Sequence, residues 1–336
     1  MSKMRTVWFD DQKRKATSFN DVFEDGVGQT EGTLEVVEIA DDAIDRLNKW
    51  AVENSDDPPD LIVIDHIFNK NLPFKLKGST VAHLLRSEFP SVPMVCVTAA
   101  WGDAASFDQE DISEYTALFL YTELERHLED LFAIARDFKT LEVDEEGVRD
   151  HLVKSLKAPK GEKERLKRIL PSEFRTQAHA TTQHRMAYWI FNVFLKKPGL
   201  LYDRLHAATL LGLTVDGFRK VESLFEKARY KGVFATDTNP CWWLRELQNR
   251  LYELVSDDAP DMPQYAGRTL QNIRPNDFSK CYVTKKVDPP PQIVVSVKSA
   301  GKVRYQVVRP EHAMAQDDSS VDPGFEIAQV LKPRAK

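Results

Sequence analysis

Five short apolar runs recur through the first 138 residues, and the stretches between them carry helical spacing. The runs cover residues 5–9, 34–39, 61–64 (LIVI), 94–98 (MVCVT) and 117–120 (ALFL). A strand that is apolar on both sides must be covered on both faces, which is the condition of a parallel sheet. Helices are expected at 13–23, 42–53, 80–88 and 123–138, with a weaker polar one near 109–115; the 123–138 segment places apolar residues at 124, 128, 131 and 135. The alternation predicts an α/β domain built on a doubly wound five-stranded parallel sheet with right-handed crossovers.

Composition narrows the remaining classes. Of 336 residues, 42% are apolar and 29% charged, which is a globular balance. No apolar run approaches the roughly 20 residues of a membrane span. The start, MSKMRTVWFDD, enters a strand-like segment directly and lacks the apolar stretch of a secretory signal. Cys96, Cys241 and Cys281 are odd in number and widely spaced, which argues against a disulfide framework or a cysteine-rich zinc module and fits a reducing, cytoplasmic setting. The net charge of −6 conceals a division: residues 1–150 carry 15 Lys and Arg against 32 Asp and Glu, and residues 151–336 carry 31 against 20. The halves therefore sum to −17 and +11, which suggests two modules with different partners, or two halves that attract each other.

Beyond residue 138 the pattern changes. A charged stretch at 139–180, acidic at 142–150 and basic at 154–168, is interrupted by Pro159 and Pro171 and reads as a broken helical linker. Met186, Trp189, Ile190, Val193 and Phe194 mark a buried helix from about residue 183. Helices follow at about 202–211, 216–228 and 244–255, then a loop at 257–280 and a hairpin of strands 293–298 and 303–308. Residues 313–336 read as a partly disordered tail. The expected organisation is a sheet domain (1–138), a linker (139–180), a helical output domain (181–256) and a loop, hairpin and tail (257–336).

Three carboxylates stand where ligands bind in a doubly wound sheet, at the carboxyl ends of strands. Asp10 and Asp11 follow the first run, Asp65 follows the third, and Thr98 ends the fourth. Carboxylates brought this close repel one another, and such a cluster ordinarily holds a hard cation such as Mg²⁺. The ordered set VWFDD, LIVIDH, Gly78 opening a helix and VCVTA resembles a response-regulator receiver domain over residues 4–138. That resemblance implies Asp65 as phosphoacceptor. It implies Mg²⁺ held by Asp10, Asp11 and Asp65 with the Ile67 carbonyl, and Thr98 as a switch residue bonding the phosphoryl oxygens. The sequence departs from the family where a Lys-Pro pair should follow the fifth strand: Thr122 and Glu123 stand there. The loop after Asp65, HIFNKNLPFKLKG, is also lengthened, and Lys70, Lys75 or Lys77 is a candidate replacement for the missing cation. The alternative is a degenerate receiver that keeps the fold and pocket without phosphorylation.

In the second half, Ala208, Gly212, Phe218 and Val221 have the spacing of a helix-turn-helix, and residues 232–243 could form a wing. On that resemblance to a winged helix, Arg219, Lys220, Ser223 and Lys227 would line the exposed face of a recognition helix and contact duplex DNA. The same fold often binds protein instead. Trp242 and Trp243 are expected to be buried, His179 and His184 to be ordinary surface or capping residues, and Cys281 to be a structural thiol. No phosphate loop, Ser/His/Asp set or HExxH motif is present, so no catalytic set emerges. Two functions remain open. One is a signalling regulator driven by a histidine kinase or another signalling protein, with DNA output and self-association as a homo-oligomer. The other is a non-enzymatic adaptor assembling a complex such as a stress or phage-defence system.

Overall fold

A computed structural model describes residues 3–26, 31–39, 42–68, 76–99, 114–142, 147–175, 182–299, 302–312 and 329–330. The chain divides into two compact units. The first comprises Met1–Ala158, Leu170–Val193 and Gly232–Thr238; the second comprises Pro159–Ile169, Phe194–Lys231 and Asn239–Lys336.

The first unit is built on the expected sheet. Strands β1 (Met4–Asp10), β2 (Gly32–Glu38), β3 (Leu61–Asp65), β4 (Met94–Thr98) and β5 (Ala117–Leu120) lie in the order β2-β1-β3-β4-β5, all parallel. Every residue of β3 and β4 is buried, as two-sided coverage requires. A single helix was expected over 13–23; instead α1 (Lys13–Thr17) and α2 (Asn20–Asp25) flank a break at Phe19. The Phe19 N–H bonds to the Ala16 carbonyl, and the bend packs the Phe19 ring 5.5 Å from Trp8 and 5.1 Å from Tyr121. Helices α3 (Ala43–Glu53) and α4 (Gly78–Glu88) follow the expected spans closely. The 123–138 segment is a 3₁₀ stretch, Tyr121–His127, that runs into α5 (Leu128–Phe138). Most of the segment expected near 109–115 lies outside the described residues.

Two later stretches complete this unit. Helix α6 (Val148–Ser155) ends before Pro159, and α8 (Thr182–Trp189) with the π-helical turn Ile190–Phe194 after it supplies anchors: the Gln183 amide donates to the Phe138 carbonyl and Asn192 to the Thr116 carbonyl, both at 2.8 Å. The segment Gly232–Thr238 is held by carboxylates of α5. Asp137 accepts the Phe234 N–H at 2.7 Å, Glu129 accepts the N–H groups of Asp237 and Thr238 at 2.7 and 2.8 Å, and Asp130 accepts the Thr236 hydroxyl at 3.2 Å.

The second unit contains α7 (Lys163–Ile169), which lies between Pro159 and Pro171. The segment expected as a helix over 202–211 opens with a strand, β6 (Leu201–Asp203), that pairs antiparallel with β7 (Cys241–Trp243). Helix α9 (Arg204–Leu210) follows, its first turn capped by the Asp203 carboxylate accepting the His206 N–H. Gly212 has φ +67, in the left-handed region, and a Cβ there would sit 2.3 Å from the Gln264 carbonyl oxygen. The helix expected over 216–228 is not continuous: α10 (Val215–Arg219) ends, and Glu222–Ala228 is 3₁₀. Trp242 and Trp243 are buried as expected, Trp242 edge-on to Phe218 at 5.0 Å. Helix α11 (Leu244–Leu254) is as read. The 257–280 stretch is more ordered than a loop: it holds a helical turn at Pro263–Ala266 and buries Leu270 and Ile273. The hairpin forms from β8 (Ile293–Ser299) and β9 (Lys302–Val308), and Gln329–Val330 adds to β8. The rest of the tail beyond His312 falls outside the described residues. Among the described residues, no helix is long and apolar enough to cross a membrane.

Candidate functional site

The strand register brings the acidic residues together. Asp10 closes β1 rather than following it, and Asp11 comes next; Asp65 closes β3 one strand away, where Phe9 pairs with Ile64. Asp65 pairs with Val97 and Thr98 with Leu120, so Thr98 ends β4 on the same sheet edge. Asp10, Asp11 and Asp65 each offer an oxygen within 4.8 Å of the others. All three are buried, as is Thr98.

Backbone donors fix these side chains. The Gln12 N–H bonds to Asp10 Oδ1 at 2.7 Å, and the His66 N–H bonds to Asp65 Oδ1 at 2.8 Å. The Gly78 N–H donates to the His66 carbonyl at 2.8 Å, which ties the start of α4 to the residue after Asp65. Only glycine fits at position 78: a Cβ would lie 2.2 Å from the Asp65 carbonyl oxygen and 2.7 Å from the Tyr115 hydroxyl. Cys96, two residues before Thr98, has its thiol pushed well up, first by burial and then by the Asp65 charge, against a hydrogen bond from Tyr115. It is a neutral packing group.

Three buried carboxylates in mutual contact fit a divalent cation of the hard, oxygen-preferring kind, since a positive charge would relieve their repulsion. Thr122 and Glu123 stand exposed at the start of the 3₁₀ segment after β5, where the resemblance would place a lysine and a proline. Lys70 and Lys75 lie outside the described residues, and Lys77 is exposed immediately before Gly78.

The residues singled out in the second half do not share one face of a helix. Arg219 pairs with Asp216 at 2.8 Å on α10. Lys220 reaches Asp277 at 2.6 Å, and Asp277 also accepts the Arg274 N–H, so that lysine closes an internal network. Gly217 lets this segment approach, because a Cβ there would sit 2.8 Å from the Asp277 carbonyl oxygen. Ser223 and Lys227 are exposed on the 3₁₀ stretch.

Two further expectations change. His184 is buried rather than exposed: its Nε2 donates to the Pro90 carbonyl at 2.9 Å, its ring packs 4.9 Å from Phe138, and its pKa is lowered to about 3 by burial first and the Arg86 charge second. His179 lies outside the described residues. Sequence reasoning missed the α5 carboxylates, for which nothing but an acidic helix face signalled a partner 100 residues away.

No family model and no curated protein matches this chain. Solved structures do. A CheY-like response regulator receiver domain from Methylobacillus flagellatus is 15% identical, covering 39% of this chain and 99% of that one, with a TM-score of 0.29. The response regulator domain of Thermotoga maritima CheB is 14% identical over 42% of this chain and 100% of that one, with a TM-score of 0.30. The Salmonella typhimurium RcsB response regulator is 12% identical over 57% of this chain and 100% of that one, also at 0.30. The strand order gives the first unit a doubly wound five-stranded parallel sheet, with the carboxylates at one edge of it.

Proposed function

We propose that this chain is a signalling regulator in which the acidic pocket is the input and the second half delivers the output. The observation that carries this is the convergence of Asp10, Asp11 and Asp65 at the carboxyl edge of the sheet, all buried and within 4.8 Å. In this reading the three hold Mg²⁺, which would screen the charge of an incoming phosphoryl group. Asp65 is the phosphoacceptor: a carboxylate oxygen attacks phosphorus and the donor leaves. Thr98 offers a hydroxyl to the phosphoryl oxygens. The upstream partner is a histidine kinase or another signalling protein. The α9–turn–α10 pair with the small β6–β7 sheet is read as a winged helix, and DNA as the partner that the basic half favours, with Arg219, Lys220, Ser223 and Lys227 as the first contacts to test.

The position of Thr122 favours a second reading, an adaptor whose pocket no longer accepts phosphate. Two measurements separate them. Trp8 is fully buried in β1 beside Tyr121, so its fluorescence reports the pocket. Millimolar Mg²⁺ should change it in the wild type and not in Asp65→Asn. Acetyl phosphate should label Asp65 weakly, and Thr122→Lys should strengthen the labelling; a pocket that binds Mg²⁺ but stays unlabelled in both proteins belongs to the adaptor.

A further inference from the structure

The second unit carries one surface that neither the acidic pocket nor the α9–α10 pair uses. Strands β8 and β9 alternate sides, and Val295 and Val308 on one side are buried with Cys281. Tyr305 lies on the other side, opposite Ser296, and is 61% exposed. Val294 and Val307 pair on that same side and are partly buried. Beside β9 runs a tight turn that begins at Cys281. The Tyr282 N–H bonds to the Val307 carbonyl, the Cys281 N–H to the Lys286 carbonyl and the Lys285 N–H to the Cys281 carbonyl, at 2.8–3.0 Å. This turn displays Tyr282 and Val283, both exposed.

Lys285 holds its ammonium 4.1 Å from the centre of the Tyr282 ring. It does so from φ +60, a conformation lysine rarely adopts, and such local strain tends to mark functional positions. Along the chain, residues 280–312 contain seven Lys and Arg against two Asp and Glu, one of the seven, Arg309, being buried against the Pro289 and Asp288 carbonyls. One of those acids, Asp288, is paired with Arg268 at 2.6 Å. Lys285 and Lys286 are exposed on the turn beside Tyr282.

We infer that this face binds single-stranded nucleic acid, with Tyr305 and Tyr282 stacking on bases and Lys285 and Lys286 meeting the phosphates. Unpaired bases are the partner because exposed rings stack on base faces, which a duplex hides, while the charge follows the backbone. The surface is independent of the acidic pocket and of residues 215–228, so it stands or falls separately from them.

The test is fluorescence anisotropy of the full chain with a labelled oligothymidylate and with a duplex of equal length. Binding to the single strand should weaken steeply with salt. Tyr305→Ala should weaken it roughly tenfold or more, and Tyr305→Phe should restore it, because stacking needs the ring and not the hydroxyl. Lys285→Ala should flatten the salt dependence. Tyr305 is exposed, so these variants keep the fold, which circular dichroism checks. Three results overturn the assignment: no binding of the single strand at about 50 mM salt, equal binding by Tyr305→Ala and Tyr282→Ala, or preference for the duplex. Loss of binding in a Ser223→Ala/Lys227→Ala protein with Tyr305→Ala unaffected would also overturn it and move the contact to the 3₁₀ stretch.

Discussion

The two units differ at one place in how they dispose of charge. The first pairs opposite charges over much of its surface, as Arg86 with Glu114 and Arg136 with Asp137, yet gathers like charges at one buried edge, where Asp10, Asp11 and Asp65 meet. In the second, opposite charges are interleaved. Arg204 meets Glu222 through two hydrogen bonds, Lys220 meets Asp277, Arg268 meets Asp288, and Glu162, fully buried, meets Arg165. Gathering like charges costs free energy that a ligand or a bound backbone must offset. Interleaving leaves both cations at the end of α10 paired, Arg219 with Asp216 and Lys220 with Asp277.

Four measurements would break or sharpen this contrast. The largest effect is expected in the pocket, where Asp65→Asn should abolish both the Mg²⁺ response of Trp8 and any phosphoryl labelling. A variant that keeps the Mg²⁺ response would show that the cluster does not act as one site. Next comes Gly78→Ala, whose new methyl must displace the Asp65 backbone. It should cost about 2–3 kcal/mol in urea unfolding and lose the Mg²⁺ response as well. If stability is unchanged, α4 is not pinned to β3 as described.

The third effect depends on pH. The folded pKa of His184 is about 3 against an ordinary 6.5, so between those values the unfolded chain binds the extra proton. Stability from this group is complete above about pH 6.5 and falls as pH drops toward 3, by up to a few kcal/mol. His184→Gln should flatten that slope relative to wild type in unfolding curves at pH 5 and 7; parallel slopes would mean the ring is not sealed from water. The smallest effect belongs to Arg219→Ala. Its partner Asp216 is largely exposed, and the change should alter stability by less than about 0.5 kcal/mol. Its effect on duplex binding then reads DNA contact with no contribution from the fold.

The sheet was legible because its strands are nearly continuous apolar runs, and the pocket because each acid stands at the end of one. Asp10 fell one residue inside its strand, a boundary that apolarity cannot fix when a buried carboxylate ends the run. The second half resisted for a physical reason. Phe218, Val221, Phe225 and Ala228 are spaced by three and four, the spacing of an α-helix of 3.6 residues per turn rather than of a 3₁₀ helix of 3.0. Periodicity therefore predicted one helix where the chain leaves α geometry at Val221, with φ −119 and ψ 2. The 257–280 stretch looked like loop because its order comes from distant backbone: a Cβ on Gly267 would meet the Leu211 carbonyl oxygen at 2.4 Å.

Because the first unit is assembled from three separate stretches, it cannot be finished in the order in which it is synthesised. When residue 138 leaves the ribosome the sheet is complete, yet the Phe138 carbonyl still awaits Gln183, the Thr116 carbonyl awaits Asn192, and the carboxylates of α5 await residues 234–238. A nascent chain must hold that partly closed unit open for about 100 residues of further synthesis, several seconds at ordinary translation rates. During that interval it is a target for chaperones and for proteases. Stop codons or cleavage sites between 138 and 238 should leave soluble protein scarce, and full recovery is expected only once the Gly232–Thr238 segment has been made.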